Sequence, residues 1–207
     1  MNHLEFQPAE PPKYRLERLP EDSQEFGMVT QLLALSLPSA QVAHVLKVHN
    51  PKLKQNFEQK RVEICQKHGE DFEVMYLFHG TRSSCPSQIC SSDNGFDLAF
   101  ARSASMWGKG LYFAERADYS HAYSHMCPCG LNSIFVASVM LGKVVHQISN
   151  TTLCQPPQIL RNQQPTGILY DSVCGFTSGS PIYVLYEHHR AYPEYIISYH
   201  ISSEYGR

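Results

Sequence analysis

Apolar positions recur at helical spacing in two early stretches and at strand spacing through most of the remaining chain. In PEDSQEFGMVTQLLALSL, Phe26, Val29, Leu32 and Leu33 fall on one helical face, and Asp22 or Ser23 can cap its start. PKLKQNFEQKRVEICQKHG carries Pro51 at its first position and Gly69 just past its end, which suits the different needs of the two helix termini. Leu53, Phe57, Val62, Ile64 and Cys65 supply its approximate inner face. Between these helices AHVLKVHN alternates enough for a strand, closed by Asn50-Pro51, and YRLERLP near the start fits an edge strand.

After Gly69 the pattern changes. EVMYLFHGT is a buried-strand run ending in a turn, PSQICSS fits a short helix, and NGFDLAFARSASMWGKG is loop-rich. LYFA reads as a strand and ERADYSHAYS as a helix. SIFVASVMLGKVVHQI is a strand, a turn near Gly142 and more strand, and TTLCQPPQILRNQQPTG is a Pro/Gln-rich excursion. SPIYVLYEHH and PEYIISYHI close the chain as two strands, joined by a turn that holds His188 and His189. The strands come as hairpins without regularly spaced crossover helices. That predicts an α+β domain with a mainly antiparallel β-sheet core and flanking helices. Residues 1–13, rich in proline and poor in pattern, are expected to be a flexible N-terminal tail, and 14–207 a single domain.

Composition narrows the partners. With 43% hydrophobic and 17% charged residues the chain has an ordinary folded-domain makeup. A net charge of -2 gives no global attraction to nucleic acid or acidic lipid, and no Lys/Arg run suggests a local one. KLKQNFEQKR reads as a solvated helix face. The longest apolar run, IFVASVML, is far short of a membrane span, and the N-terminus lacks the regions of a signal peptide. The expectation is an intracellular protein, cytoplasmic or nuclear, whose 7 cysteines are free thiols.

GKGLYFAERADYSHAYSH, Gly108 to His125, has the look of a phosphate cradle but fails both tests for one. No second upstream glycine and no hydroxyl after Lys109 complete a Walker loop, and Phe113 takes the third glycine position of G-x-G-x-x-G. The glycines instead allow a tight entry into the strand. Within that strand Leu111 and Phe113 share one face and Tyr112 points the other way, while Tyr119 and Tyr123 are one helical turn apart. A strand turning into a helix brings Tyr112, Ser120 and Tyr123 around one cavity. Two aromatic faces and a hydroxyl suit a flat heteroaromatic amide such as nicotinamide; the same spacing also occurs in ordinary cores. In LFHGTRSS, Gly80 leaves its backbone N–H and C=O open at close range, which an amide ligand matches. His79 beside it can hold a sugar hydroxyl or bond to the core. HAYSHMCPCG gathers His121, His125, Cys127 and Cys129, but Cys-x-Cys is tighter than the usual zinc spacing, and no metal is expected.

YLFHGT, then GFDLAFARSASMWGKGLYFAERADYSHAYS, then SPIYVLYEHHRAYPEYIISY resemble, in this order, the catalytic domain of the poly(ADP-ribose) polymerase family. The likeness is greatest to its branch of small mono-ADP-ribosyltransferases. VHNPKLKQNFEQKRVEI looks like the segment before the HGT strand, and YDSVCGFTSGSP like the loop before the third motif, so the resemblance spans roughly 14–201. It implies the ADP-ribosyltransferase fold with a split sheet, NAD+ as co-substrate, and no metal. It also implies that no regulatory helical domain precedes the catalytic segment. The family's His-Tyr-Glu signature falls on His79, Tyr112 and Ile182. The resemblance implies that His79 binds the adenine-side ribose and that Tyr112 lies under the nicotinamide ribose and ring. Gly80, with Thr81 beside it, would meet the carboxamide with backbone, Ser120 with its hydroxyl. Tyr123 would stack on the ring, and Ala114 would be small enough to let it approach. Tyr119, where polymerising members often carry lysine, receives no role.

Ile182 departs from the glutamate of polymerising members, and Glu187 on the opposite strand face cannot replace it. Isoleucine there implies transfer of one ADP-ribose to protein side chains, those of the chain itself included. A carboxylate or a cysteine thiolate suits as acceptor. Isoleucine also occurs near inactive members. Two other readings therefore stand beside transfer to proteins: an inactive NAD+ or ADP-ribose-binding interaction module, and ADP-ribosylation of nucleic-acid ends. FARSASMW is the segment to inspect for a blocked pocket.

Overall fold

Two capping side chains start the two long helices. Ser23 Oγ accepts from Phe26 N–H at 3.1 Å, and α1 runs Gln24–Ala34. Asn50 Oδ1 accepts from Leu53 N–H at 3.0 Å, Pro51 needs no donor partner there, and α2 runs Pro51–His68. It stops at Gly69, whose φ of 67° is left-handed. Leu53, Phe57 and Ile64 are its buried residues. Val62, expected on the inner face, is exposed, and Cys65 is only half-buried. Leu53, Phe57 and Ile64 repeat at the four- and seven-residue steps of one stripe, and Val62 falls off it.

These observations come from a computed structural model that describes residues 13–202 except Ser83, Ser103 and Ala104. The tail expected over 1–13 lies, apart from Lys13, outside the described residues. In chain order the strands are β1 (Arg15–Arg18), β2 (Ala40–His49), β3 (Val74–His79), β4 (Leu111–Ala114), β5 (His125–Met126) and β6 (Asn132–Met140). They continue as β7 (Val144–His146), β8 (Gln158–Arg161), β9 (Gln164–Leu169), β10 (Ser172–Thr177), β11 (Ser180–Leu185) and β12 (Ala191–Ile201). Two short helices, α3 (Pro86–Ser91) and α4 (Ala117–His121), flank β4 in the chain. The main sheet runs β1-β2-β12-β6-β3-β4-β11-β10-β7, with β5 also on β6. Every pair is antiparallel except β7 with β10. The α+β, mainly antiparallel expectation is met. No helix among the described residues is long and apolar enough to cross a membrane.

Strand, turn and strand follow around Gly142 as expected, and three local details go beyond or correct the sequence reading. The turn at Gly142 does not make a hairpin of β6 and β7, because β7 leaves to pair with β10. A side chain at Gly142 would run into Asp171, whose carboxylate accepts from Lys143 N–H at 2.8 Å and from Lys67 Nζ at 2.7 Å. That buried carboxylate draws the chain across to the start of β10. The Pro/Gln-rich excursion contains an exposed two-stranded hairpin, β8 with β9. YDSVCGFTSGSP, likened to a loop, is β10 and its turn into β11, with Gly179 left-handed at φ 75°.

The sheet's edges fix where a site can form. β12 occupies one edge of β6 along Asn132–Val139. β3 and β5 must therefore share the other edge, end to end: His79 stands opposite Phe135, and His125 opposite Ser133. The sheet splits at this junction, where Gly80 leaves the ladder.

Candidate active site

Register places the first group. β4 and β11 pair Tyr112 with Val184 and Ala114 with Ile182, so these four side chains share one sheet face. Gly175 of β10 lies opposite Ile182, and a side chain on it would overlap the indole of Trp107. Trp107 is 1% exposed, and its Nε1–H donates to Gln147 O at 3.1 Å. Tyr186 Oη–H donates to Trp107 O at 2.6 Å. Tyr112 Oη accepts from Trp107 N–H at 2.9 Å and donates to Gly108 O at 2.8 Å. The Tyr112 hydroxyl is thus committed to the chain, burial raises its pKa, and its ring is what remains for a ligand. Ile182 is fully buried with Trp107, Ala114, Val173 and Val184. It shapes the floor and offers no polar contact. Glu187 lies past the end of β11 and pairs with Lys60 at 3.4 Å.

His79 ends β3 with Nδ1 2.7 Å from Tyr112 O. A carbonyl only accepts, so Nδ1 carries the proton. Burial lowers the pKa of this ring and holds it neutral, which leaves Nε2 with a free lone pair. The ring packs between Phe96 and Phe113, with centroids at 4.9 and 5.2 Å. Phe96 is a supporting residue that sequence reasoning missed; its place after Gly95 in a loop carried no periodic signal.

Gly80 follows at the junction, and a side chain there would overlap the carbonyl oxygens of Tyr123 and Ser120. Only glycine allows this crossing of β3 under the α4 segment. Ser120, in α4 beside this crossing, is 3% exposed. Thr81, expected in the same site, turns its hydroxyl to Ser84 O at 2.6 Å and so contributes backbone alone. α4 ends at His121, so Tyr123 sits beyond the helix rather than on it. Arg82 N–H donates to Tyr123 O at 2.7 Å, and the Arg82 guanidinium lies 4.7 Å from the Tyr123 ring centre. Tyr119 packs against the Trp107 cluster on one side and against Tyr123 at 5.4 Å on the other. It links the two tyrosines expected to face each other across a ligand. Arg82 and Tyr119 thus belong to this wall. The resemblance gives Tyr119 no role beyond packing or facing solvent, and it packs; Arg82 was not singled out.

The residues weighed as metal ligands diverge. His121 Nδ1 lies 3.0 Å from Tyr199 Oη, and His125 Nδ1 lies 3.1 Å from Arg82 O. Cys127 and Cys129 form a disulfide, with Cα atoms 5.2 Å apart. The expectation of free thiols throughout is corrected here; Cys65, Cys85, Cys90, Cys154 and Cys174 remain free. The cause is a tight turn: Cys127 N–H donates to Leu131 O at 2.9 Å, and Gly130 N–H to Cys127 O at 3.0 Å. A separate cleft of about 280 Å³ opens beside Tyr186, lined by Leu98, Ala99, Lys109 and Cys154. His79, Gly80, Ser120 and Tyr123 do not line it. Of FARSASMW, Ser103 and Ala104 lie outside the described residues. Its end is tied down, with Met106 O accepting from Asn150 N–H at 2.8 Å.

A split, mainly antiparallel sheet with flanking helices is the ADP-ribosyltransferase class of fold. The chain matches the poly(ADP-ribose) polymerase catalytic domain over residues 23–201, and it belongs to that family. It is 29% identical over 194 residues to human protein mono-ADP-ribosyltransferase PARP12, covering 93% of this chain and 27% of that protein. It is 29% identical over 187 residues to human protein mono-ADP-ribosyltransferase PARP14, covering 89% of this chain and 10% of that one. A probable poly(ADP-ribose) polymerase of Dictyostelium discoideum is 30% identical over 190 residues, covering 89% of this chain and 52% of its own length. The chain therefore spans about a quarter of the human PARP12 relative.

Proposed function

We propose that this domain is an NAD+-dependent mono-ADP-ribosyltransferase that releases nicotinamide and passes one ADP-ribose to protein side chains. The observation that carries the reading is the crossing at Gly80: a side chain there would overlap the carbonyl oxygens of Ser120 and Tyr123, so the end of β3 and the α4 segment meet at bare backbone beside His79. Backbone this bare, beside the serine and tyrosine of the adjoining segment, suits an amide ligand. On this reading the nicotinamide carboxamide bonds the Ser120 hydroxyl and the Gly80 backbone. Its ring stacks on Tyr123, with Ala114 leaving room and the Tyr112 ring beneath. His79 Nε2 accepts from a hydroxyl of the adenine-side ribose. The names of the human relatives, which carry the same activity, support the assignment.

The bond that breaks joins nicotinamide to ribose, and its transition state has oxocarbenium character. The residues hold the leaving ring, fix the ribose and exclude water. Ile182 has no carboxylate with which to hold a ribose hydroxyl or activate an incoming sugar, so the reaction stops after one transfer. A Glu or Asp carboxylate is already ionised and can attack directly, as can a cysteine thiolate; side chains of the domain itself are eligible acceptors. An intracellular setting, cytoplasmic or nuclear, fits a supply of NAD+.

Incubation with NAD+ followed by intact-mass analysis tests this. Discrete single ADP-ribose additions on the wild type, lost in Ser120→Ala and His79→Ala, are expected. A ladder of chains would overturn single transfer. No addition, together with no rise in melting temperature on adding NAD+, would overturn the enzyme reading.

A further inference from the structure

We propose that Cys127-Pro128-Cys129 is a thiol–disulfide exchange site whose state sets how firmly the Tyr123 segment is held. The bond encloses a single residue, Pro128. Closing so short a loop removes little entropy from the unfolded chain, so a purely structural staple explains it poorly. The pair is also reachable. Cys129 is exposed and Cys127 half-buried, so an external thiolate meets the Cys129 sulfur first.

Its position gives the exchange a consequence. The disulfide closes the turn between β5 and β6, and β5 is only two residues long, lying off the continuous path of the sheet. With so few ladder bonds, the turn is a large part of what holds β5. From β5 the contacts run straight to the candidate site. His125 Nδ1–H donates to Arg82 O at 3.1 Å, and Arg82 N–H donates to Tyr123 O at 2.7 Å. The Arg82 guanidinium covers the Tyr123 ring, and Ser124 Oγ–H donates to Asn132 Oδ1 at 3.0 Å. Tyr123 O in turn rests on Gly80. Opening the turn loosens β5, then Arg82, then Tyr123.

The chemistry balances with a cellular dithiol as reductant. One of its thiolates attacks Cys129 Sγ, the Cys127–Cys129 bond breaks, and Cys127 leaves as a thiolate and is protonated. The second thiol of the reductant attacks the mixed disulfide and releases Cys129. Two electrons pass from the dithiol, which becomes a disulfide, and Cys127 and Cys129 each end with one proton. Pro128 fixes one backbone angle between the two thiols and keeps them close for re-oxidation by the reverse path.

The link to nicotinamide rests on the function proposed above; the exchange itself does not. The chain would be equilibrated in reduced and oxidised dithiothreitol at graded ratios, alkylated after denaturation, and weighed. The 5 free cysteines should alkylate in the oxidised buffers. All 7 should do so in the reduced ones. Hydrogen exchange read on the same samples should speed up several-fold at Arg82 and across 123–131 on reduction. The double variant Cys127→Ser, Cys129→Ser should exchange like the reduced chain in every buffer. Full alkylation in every buffer, or exchange indifferent to reduction, would overturn the proposal. Loss of the NAD+-induced melting shift on reduction would support the link to the site. Absence of that shift in both states, with the exchange change intact, would count against the transferase reading alone.

Discussion

His79 and Tyr123 stand on either side of the junction where the sheet splits, and they are held by different means. His79 is a strand residue: its backbone pairs with Phe135 of β6, and its ring is gripped by Tyr112 O, Phe96 and Phe113. Tyr123 lies past the end of a five-residue helix and is 37% exposed. It owes its place to Arg82, Gly80 and a two-residue strand. A group set by a ladder moves only when the sheet does. A group set by a few loop contacts is adjustable, and local opening there costs far less than global unfolding. One wall is a fixed reference; the other is where control can act.

Substitutions can separate the two walls. Trp107→Ala should have the largest effect, about 3–5 kcal/mol of stability, because it empties a fully buried site over Gly175 and Ile182. Urea unfolding would measure it; a loss under about 1 kcal/mol would mean the strand side is softer than described. Gly80→Ala comes next at about 1–3 kcal/mol, since the new methyl meets backbone oxygens that cannot swing away. NAD+ should no longer raise its melting temperature. A variant that keeps both stability and response would show that Tyr123 gives way freely. Arg82→Ala should cost only about 0.5–1 kcal/mol, the worth of an exposed cation over a ring. Its hydrogen exchange should speed up around Tyr123 while β3 stays protected. Equal change in both would dissolve the distinction.

The pH effect is the most gradual. Burial lowers the His79 pKa below its ordinary 6.5. Below that value the unfolded chain binds a proton that the folded chain refuses. The stability is therefore full above 6.5, falls as pH drops from there, and levels off once the folded value is passed. His121 and His189, lowered by burial too, add in the same direction. His79→Phe should flatten part of the acid slope in melting temperature; an unchanged slope would mean the ring is charged in the folded protein.

The same division separates the features legible in the sequence from those that were not. Ser23, Asn50, Pro51 and Gly69 announce their helix ends because capping is local chemistry. The strands holding His79 and Tyr112 were visible as apolar runs. The parallel pairing of β7 with β10 was not, since it depends on Asp171 drawing Lys143 across the molecule. Nor was the burial of Ile182, because the indole that covers it is anchored by Gln147, far away in sequence. Arg82 over Tyr123 and the Cys127–Cys129 bond were hidden for a related reason: both depend on how a turn closes, and spacing alone does not fix that.

Among the described residues β12 comes after every other strand yet stands between β2 and β6, with Tyr195 opposite Lys47 on one side and Val136 on the other. While the protein is being made, β2 and β6 must wait for it with facing edges unpaired. At about 5–20 residues per second, β2 waits on the order of ten seconds after it emerges from the ribosome. During that interval two strand edges stand open to any neighbour, and they close only when β12 arrives.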